Sequence, residues 1–135
     1  MSKSIPRLPD AELDIMLVLW RKNEPSRIGE IHAALQETRP CTKPALHSLL
    51  ERLSDKGFVS IDHVEDARPY KLFTPLVSER DYRAAESRSF IDRLCRGRWQ
   101  TLIASLVDSD EISRDDLDEI RALLEKSEEK EDGDE

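Results

Sequence analysis

In the stretch TKPALHSLLERLSDKGFV, Thr42 to Val59, four leucines recur at i, i+3, i+4 and i+7. Leu46, Leu49, Leu50 and Leu53 therefore share one apolar face of a helix. Thr42 is placed to cap the start, and Gly57 suits the left-handed position just past the end. A β-type run, GFVSIDHV, follows at once. A helix that passes straight into a strand restricts the architectures its neighbours can complete.

Those neighbours supply the rest of a plan. DAELDIMLVLWRKN carries a stripe of Leu13, Met16, Leu17 and Trp20, with Pro9 and Asp10 as a start signal and Arg21–Lys22 as a cationic end. NEPS breaks the chain, and Ser26 is positioned to cap a second helix, RIGEIHAALQE, striped by Ile28, Ile31 and Leu35. After the third helix, Val59 and Ile61 keep period two, and RPYKLFTP alternates Tyr70 and Leu72 with Lys71 and Phe73. EDAR between them reads as a turn, so the two runs form a hairpin. Residues 10–75 thus read as helix, helix, helix, hairpin, the plan of a winged helix-turn-helix.

The remainder is helical. SERD from Ser78 has capping-box spacing, with Asp in place of the usual Glu, and opens a helix to about Cys95 with Tyr82, Ala85, Phe90, Ile91 and Leu94 as apolar positions. RGR interrupts near Gly97; WQTLIASLV then presents Leu102, Ile103, Leu106 and Val107. SRDD from Ser113 repeats the capping signal ahead of Leu117, Ile120, Leu123 and Leu124. Three short amphipathic helices cannot easily bury such stripes alone, and an identical chain is the simplest partner. The expected fold is mainly α with a small β-hairpin: a winged helix-turn-helix domain over 1–76, a helical dimerisation arm over 77–126, and a disordered acidic tail over 127–135. Phe90, Leu94, Leu102, Ile103, Leu106, Leu117, Ile120 and Leu124 are the expected dimer contacts.

Composition narrows the function classes. The longest unbroken apolar run in a helical stretch, IMLVLW from Ile15, is far short of the ~20 apolar residues of a membrane span. The start lacks a signal-peptide core, so a cytoplasmic location is expected. Cys41 and Cys95 form no CxxC pair, and neither they nor the three histidines have metal-ligand spacing, so reduced thiols and no metal or cofactor are expected. An enzyme is not expected either: there is no HExxH, no glycine-rich phosphate loop and no nucleophile–base pairing. The net charge of −8 is uneven. Residues 1–80 carry 12 Lys+Arg and 12 Asp+Glu, whereas 81–135 carry 9 and 17. The acid excess therefore lies outside the head, and the low pI does not argue against nucleic acid there.

Opposite its leucines the third helix presents Pro44, His47, Ser48, Glu51, Arg52 and Asp55, and its first turn offers Thr42 and Lys43. Recognition helices meet base edges mostly through their N-terminal half. Thr42, Lys43, His47, Ser48 and Arg52 are therefore candidate DNA contacts. Arg68 at the hairpin turn and Lys71 on the returning strand are placed to grip the backbone as a wing, and Lys3 and Arg7 to act as an N-terminal arm. A competing reading is a winged-helix module that binds protein. The zero net charge of residues 1–80 and the acids Glu51 and Asp55 favour it, and salt dependence discriminates the two.

The segments LPDAELDIMLVLW, IGEIHAAL, LHSLLERLSDKGFV, YKLFTPLVSERDYRAAESRSFIDRL and SLVDSDEIS, with LDEIRALLE after them, resemble the penicillinase repressor family over Leu8 to about Leu124. The resemblance implies homodimeric winged-helix repressors whose N-terminal domain binds a palindromic, inverted-repeat operator and whose C-terminal helices form the dimer. It also implies induction by cleavage within the C-terminal domain, in a cascade with a membrane-bound sensor metalloprotease as partner. The matching bond here is Ser105–Leu106, where the best-known members have Asn–Phe. The family often has Thr where Ala45 stands, and Pro44 and His47 also depart from it, so a different operator is expected. A copper-responsive branch uses a cysteine-rich tail, which SEEKEDGDE lacks.

Overall fold

The computed structural model describes residues 5–133. Its elements are α1 (Asp10–Lys22), α2 (Ile28–Leu35), α3 (Lys43–Asp55), β1 (Val59–Val64), β2 (Tyr70–Pro75), α4 (Glu79–Cys95), α5 (Trp99–Asp108) and α6 (Arg114–Gly133). The strands pair antiparallel, from Val59 opposite Pro75 to Val64 opposite Tyr70. This is the winged helix-turn-helix order: three helices, a hairpin, then further helices.

The leucine stripe of α3 behaves as its spacing predicts. Leu46, Leu50 and Leu53 are fully buried, and Leu49 packs at the edge of the same core. They meet Ile15, Met16 and Leu19 of α1, Ile31 and Leu35 of α2, and Phe58, Val59 and Phe73 of the hairpin. Gly57, at φ 83°, takes the left-handed turn that ends α3. In α1 the buried set is wider than the expected stripe. Leu17 is 41% exposed, while Ile15, Val18 and Leu19 are buried. The cause is that α2, α3 and β2 all pack on α1, so it buries a broad arc and not one seam.

Ser26 has a different task from the cap expected of it. It is fully buried and pairs with Phe73 as a short third strand, each N–H donating to the other's carbonyl at 3.0 and 2.8 Å. The cap of α2 comes instead from Glu30, whose Oε1 accepts from the Arg27 N–H at 3.0 Å. Two ion pairs brace the helices: Lys56 Nζ reaches the buried Glu12 at 2.6 Å, joining the end of α3 to the start of α1. Arg39 Nε reaches Asp14 at 2.7 Å and fixes the α2–α3 turn.

Contacts along the chain define two compact units, 1–87 and 88–135. The first unit runs past residue 76, where the sequence suggested a boundary, because the start of α4 completes its core. Tyr82 is buried with its ring 5.7 Å from Trp20 and 5.8 Å from Phe58, and its hydroxyl accepts from the Leu8 N–H at 2.9 Å. Trp20 Nε1 donates to the Val77 carbonyl at 2.8 Å.

In the second unit α5 buries no residue. Leu94, Trp99, Leu123 and Leu124 are each more than half exposed. Ser113 and Asp116 form a reciprocal box at the start of α6, each side-chain oxygen accepting from the other's backbone N–H at 3.1 and 2.9 Å. Helix α6 continues to Gly133, so residues 127–133 of the expected disordered tail are helical, and residues 134 and 135 lie outside the described residues. Glu and Lys are good helix formers, and extending a helix already nucleated costs little. No helix of the described residues is long and apolar enough to cross a membrane.

Candidate nucleic-acid interface

The N-terminus of α3 is built as a cap. Thr42 Oγ1 accepts from the Ala45 N–H at 3.2 Å, and Pro44 occupies the first turn, where a missing N–H costs nothing. Thr42 therefore keeps its hydroxyl proton for an outside acceptor. Ser48 is exposed, but its hydroxyl donates to the Pro44 carbonyl at 3.2 Å, so contact with a phosphate requires that bond to break. Lys43 and Arg52 are exposed and form no ion pair among the described residues.

His47 is only half exposed. Its Nε2 lies 3.1 Å from Lys71 Nζ, and its Nδ1 lies 3.4 Å from Glu51 Oε1. The structure thus brings α3 and the wing together at His47 and Lys71. Arg68 is exposed beside the hairpin turn. Arg7 does not join this group: it pairs with Glu86 of α4 at 3.5 Å, and the adjacent Leu8 is buried. Lys3 lies outside the described residues.

One cation escapes sequence reasoning. Arg27, just ahead of α2, lays its guanidinium 3.5 Å above the Tyr70 ring, a cation–π contact at the surface. Only the hairpin's placement against α2 brings the two together, and no spacing along the chain announces it. Arg27, Ile28, Glu30, His47, Tyr70 and Lys71 line a crevice of about 510 Å³ between the start of α2, α3 and β2. Glu30 is held below the usual carboxylate range by the Arg27 backbone N–H first and by Lys22 second, so it is a fixed negative charge there. Arg39 is raised by its hydrogen bond to Asp14. Among the described residues no group of three or more His, Cys, Asp or Glu could hold a metal ion.

A capped third helix, an exposed cationic rim and a wing tied to that helix define a winged helix-turn-helix protein. The chain belongs to the penicillinase repressor family, whose sequence pattern matches residues 8–126. It is similar to the penicillinase repressor of Bacillus licheniformis, 29% identical over 92% of this chain and 94% of the relative. It is also similar to the methicillin resistance regulatory protein MecI of Mammaliicoccus sciuri, 28% identical over 93% and 99%. A solved structure, Bacillus licheniformis BlaI in monomeric form in complex with the blaP half-operator, is 31% identical over 60% of this chain and 94% of that one, with a TM-score of 0.46.

Proposed function

We propose that this chain is a transcriptional repressor that binds an inverted-repeat DNA operator as a homodimer. The observation that carries it is the contact between His47 and Lys71, which makes the outer face of α3 and the wing one continuous surface, bordered by Lys43, Arg52 and Arg68. Family membership supports the same reading, since the similar regulators are named as repressors. Repression then follows from occlusion of a promoter. Two-fold symmetry asks for half-sites about one or two helical turns apart.

Exposed apolar residues at the end of α4 and on α5 and α6 support homodimerisation, because Leu94, Trp99, Leu123 and Leu124 are little covered by the described residues of one chain. Relief by cleavage at Ser105–Leu106, with a membrane sensor metalloprotease as the partner, fits the local energetics. The bond lies inside α5, where Ser105 Oγ also donates to the Thr101 carbonyl at 2.9 Å, so a protease must first unwind it. In a single chain the apolar residues of α5 are at most partly buried, so α5 unwinds more easily before the dimer forms than after.

A titration against the DNA upstream of the chain's own coding region, at about 50 and 200 mM salt, tests the central claim. Selective binding that weakens several-hundredfold or more is expected. A second reading, a winged-helix module for a protein partner, draws on the balanced charge of residues 1–80. Weak binding at both salts would favour it.

A further inference from the structure

His47 occupies a place unsuited to reading a base. Its ring is half-buried, with the edge of Phe73 at a 6.4 Å centroid distance, and its two nitrogens face Lys71 and Glu51. An ammonium has protons to give and no lone pair. Nε2 must therefore be the acceptor, which leaves the ring proton on Nδ1, on the side of the Glu51 carboxylate. We infer that His47 is a positioning residue whose neutral ring holds Lys71 against α3 and so sets the wing's cation for the DNA backbone. The inference rests on the DNA-binding reading above and assigns within it a role that specifies geometry.

The surroundings fix the consequence of protonation. Beside His47 stand Glu51 on its own helix, Lys71 on β2, and Arg27 and Glu30 at the start of α2. His63, on β1, is the register partner of Lys71 and shares its face of the hairpin. Glu30 is already engaged by the Arg27 amide and by Lys22 at 3.2 Å. A second proton on His47 takes away the acceptor and sets a positive ring against Lys71. Glu51 is then the one anion beside it that is not otherwise engaged among the groups named. Lys71 is released and the wing loses its polar tie to α3. The added charge meanwhile attracts any DNA, so the quantity that falls is the preference for operator over unrelated DNA.

Two measurements on the full chain decide it. The first needs no DNA: nitrogen-15 imidazole spectra at about pH 8 should show His47 as the Nδ1–H tautomer in the unmodified protein and in Glu51→Ala, where only Lys71 can set it, with that preference lost when Lys71→Met is added to Glu51→Ala. An Nε2–H ring in the unmodified protein would overturn the inference. The second compares affinity for a duplex selected by the chain from a randomised pool with affinity for the same duplex shuffled. The ratio should fall about tenfold from about pH 8 to about pH 5.5, as expected for one lost charge-assisted hydrogen bond. His63→Gln should show the same fall. His47→Gln should hold the ratio level, because its amide oxygen accepts from Lys71 at every pH. A level ratio in the unmodified protein, or an equal fall in His47→Gln, would overturn the role. A pool that yields no enriched duplex counts against DNA binding itself, and the tautomer then decides the clamp alone.

Discussion

At the scale of single residues, the two kinds of cation in the head predict different losses. Arg68 is exposed at the wing and makes no ion pair among the described residues, so on the proposed DNA-binding reading it pairs with a phosphate, which carries no sequence information. Arg68→Ala should weaken binding to all duplexes about equally and lower the salt slope by roughly one unit. A loss confined to one operator base pair, seen in the same titrations, would place Arg68 elsewhere. Lys56 has a structural task, since it neutralises a carboxylate that is itself buried. Lys56→Ala strands that charge, and a cost of about 3 kcal/mol is expected in urea unfolding, with DNA contacts otherwise intact.

Elements succeed or fail on how much of their surroundings lies nearby in the chain. The leucines of α3, the Thr42 cap and the Gly57 turn were all legible because each depends on residues within one or two turns. Leu50→Ala should accordingly destabilise the head by about 3 kcal/mol, measured by thermal or urea unfolding. Ser26 and Arg27 were not legible. Their partners Phe73 and Tyr70 lie on β2, distant in the chain, and period-two alternation says where a strand is without saying what it will meet. The width of the buried arc on α1 was hidden for the same reason. The Ser113 box was legible, and it carries a pH sign. Asp116 is held below the usual carboxylate range by the Ser113 backbone N–H first and the Ser113 hydroxyl second. Its contribution to α6 is therefore fully present above about pH 4 and lost as pH falls through its depressed folded value. Ser113→Ala should lower helical content, read by circular dichroism, with a cost of about 1 kcal/mol.

For the whole molecule, the division of labour follows from what each unit buries. Residues 1–87 enclose a core, whereas the helices of 88–135 leave apolar faces open, which is the condition for a second copy to complete them. On the proposed homodimer, Leu106→Asp should give a monomer, because a charge would enter an apolar interface; a variant that still sediments as a dimer would move the interface off α5. The Ser26–Phe73 bridge bears on the order of events in time. Its two hydrogen bonds join segments far apart in sequence, so closing them costs more loop entropy than any contact within one helix. Opening the bridge therefore separates the wing from the start of α2 without unwinding any helix. The amide protons of Ser26 and Phe73 should exchange with solvent at one shared rate, faster than those of Leu50 and Leu53. A newly made or partly opened chain would then hold its helices while still being unable to grip DNA.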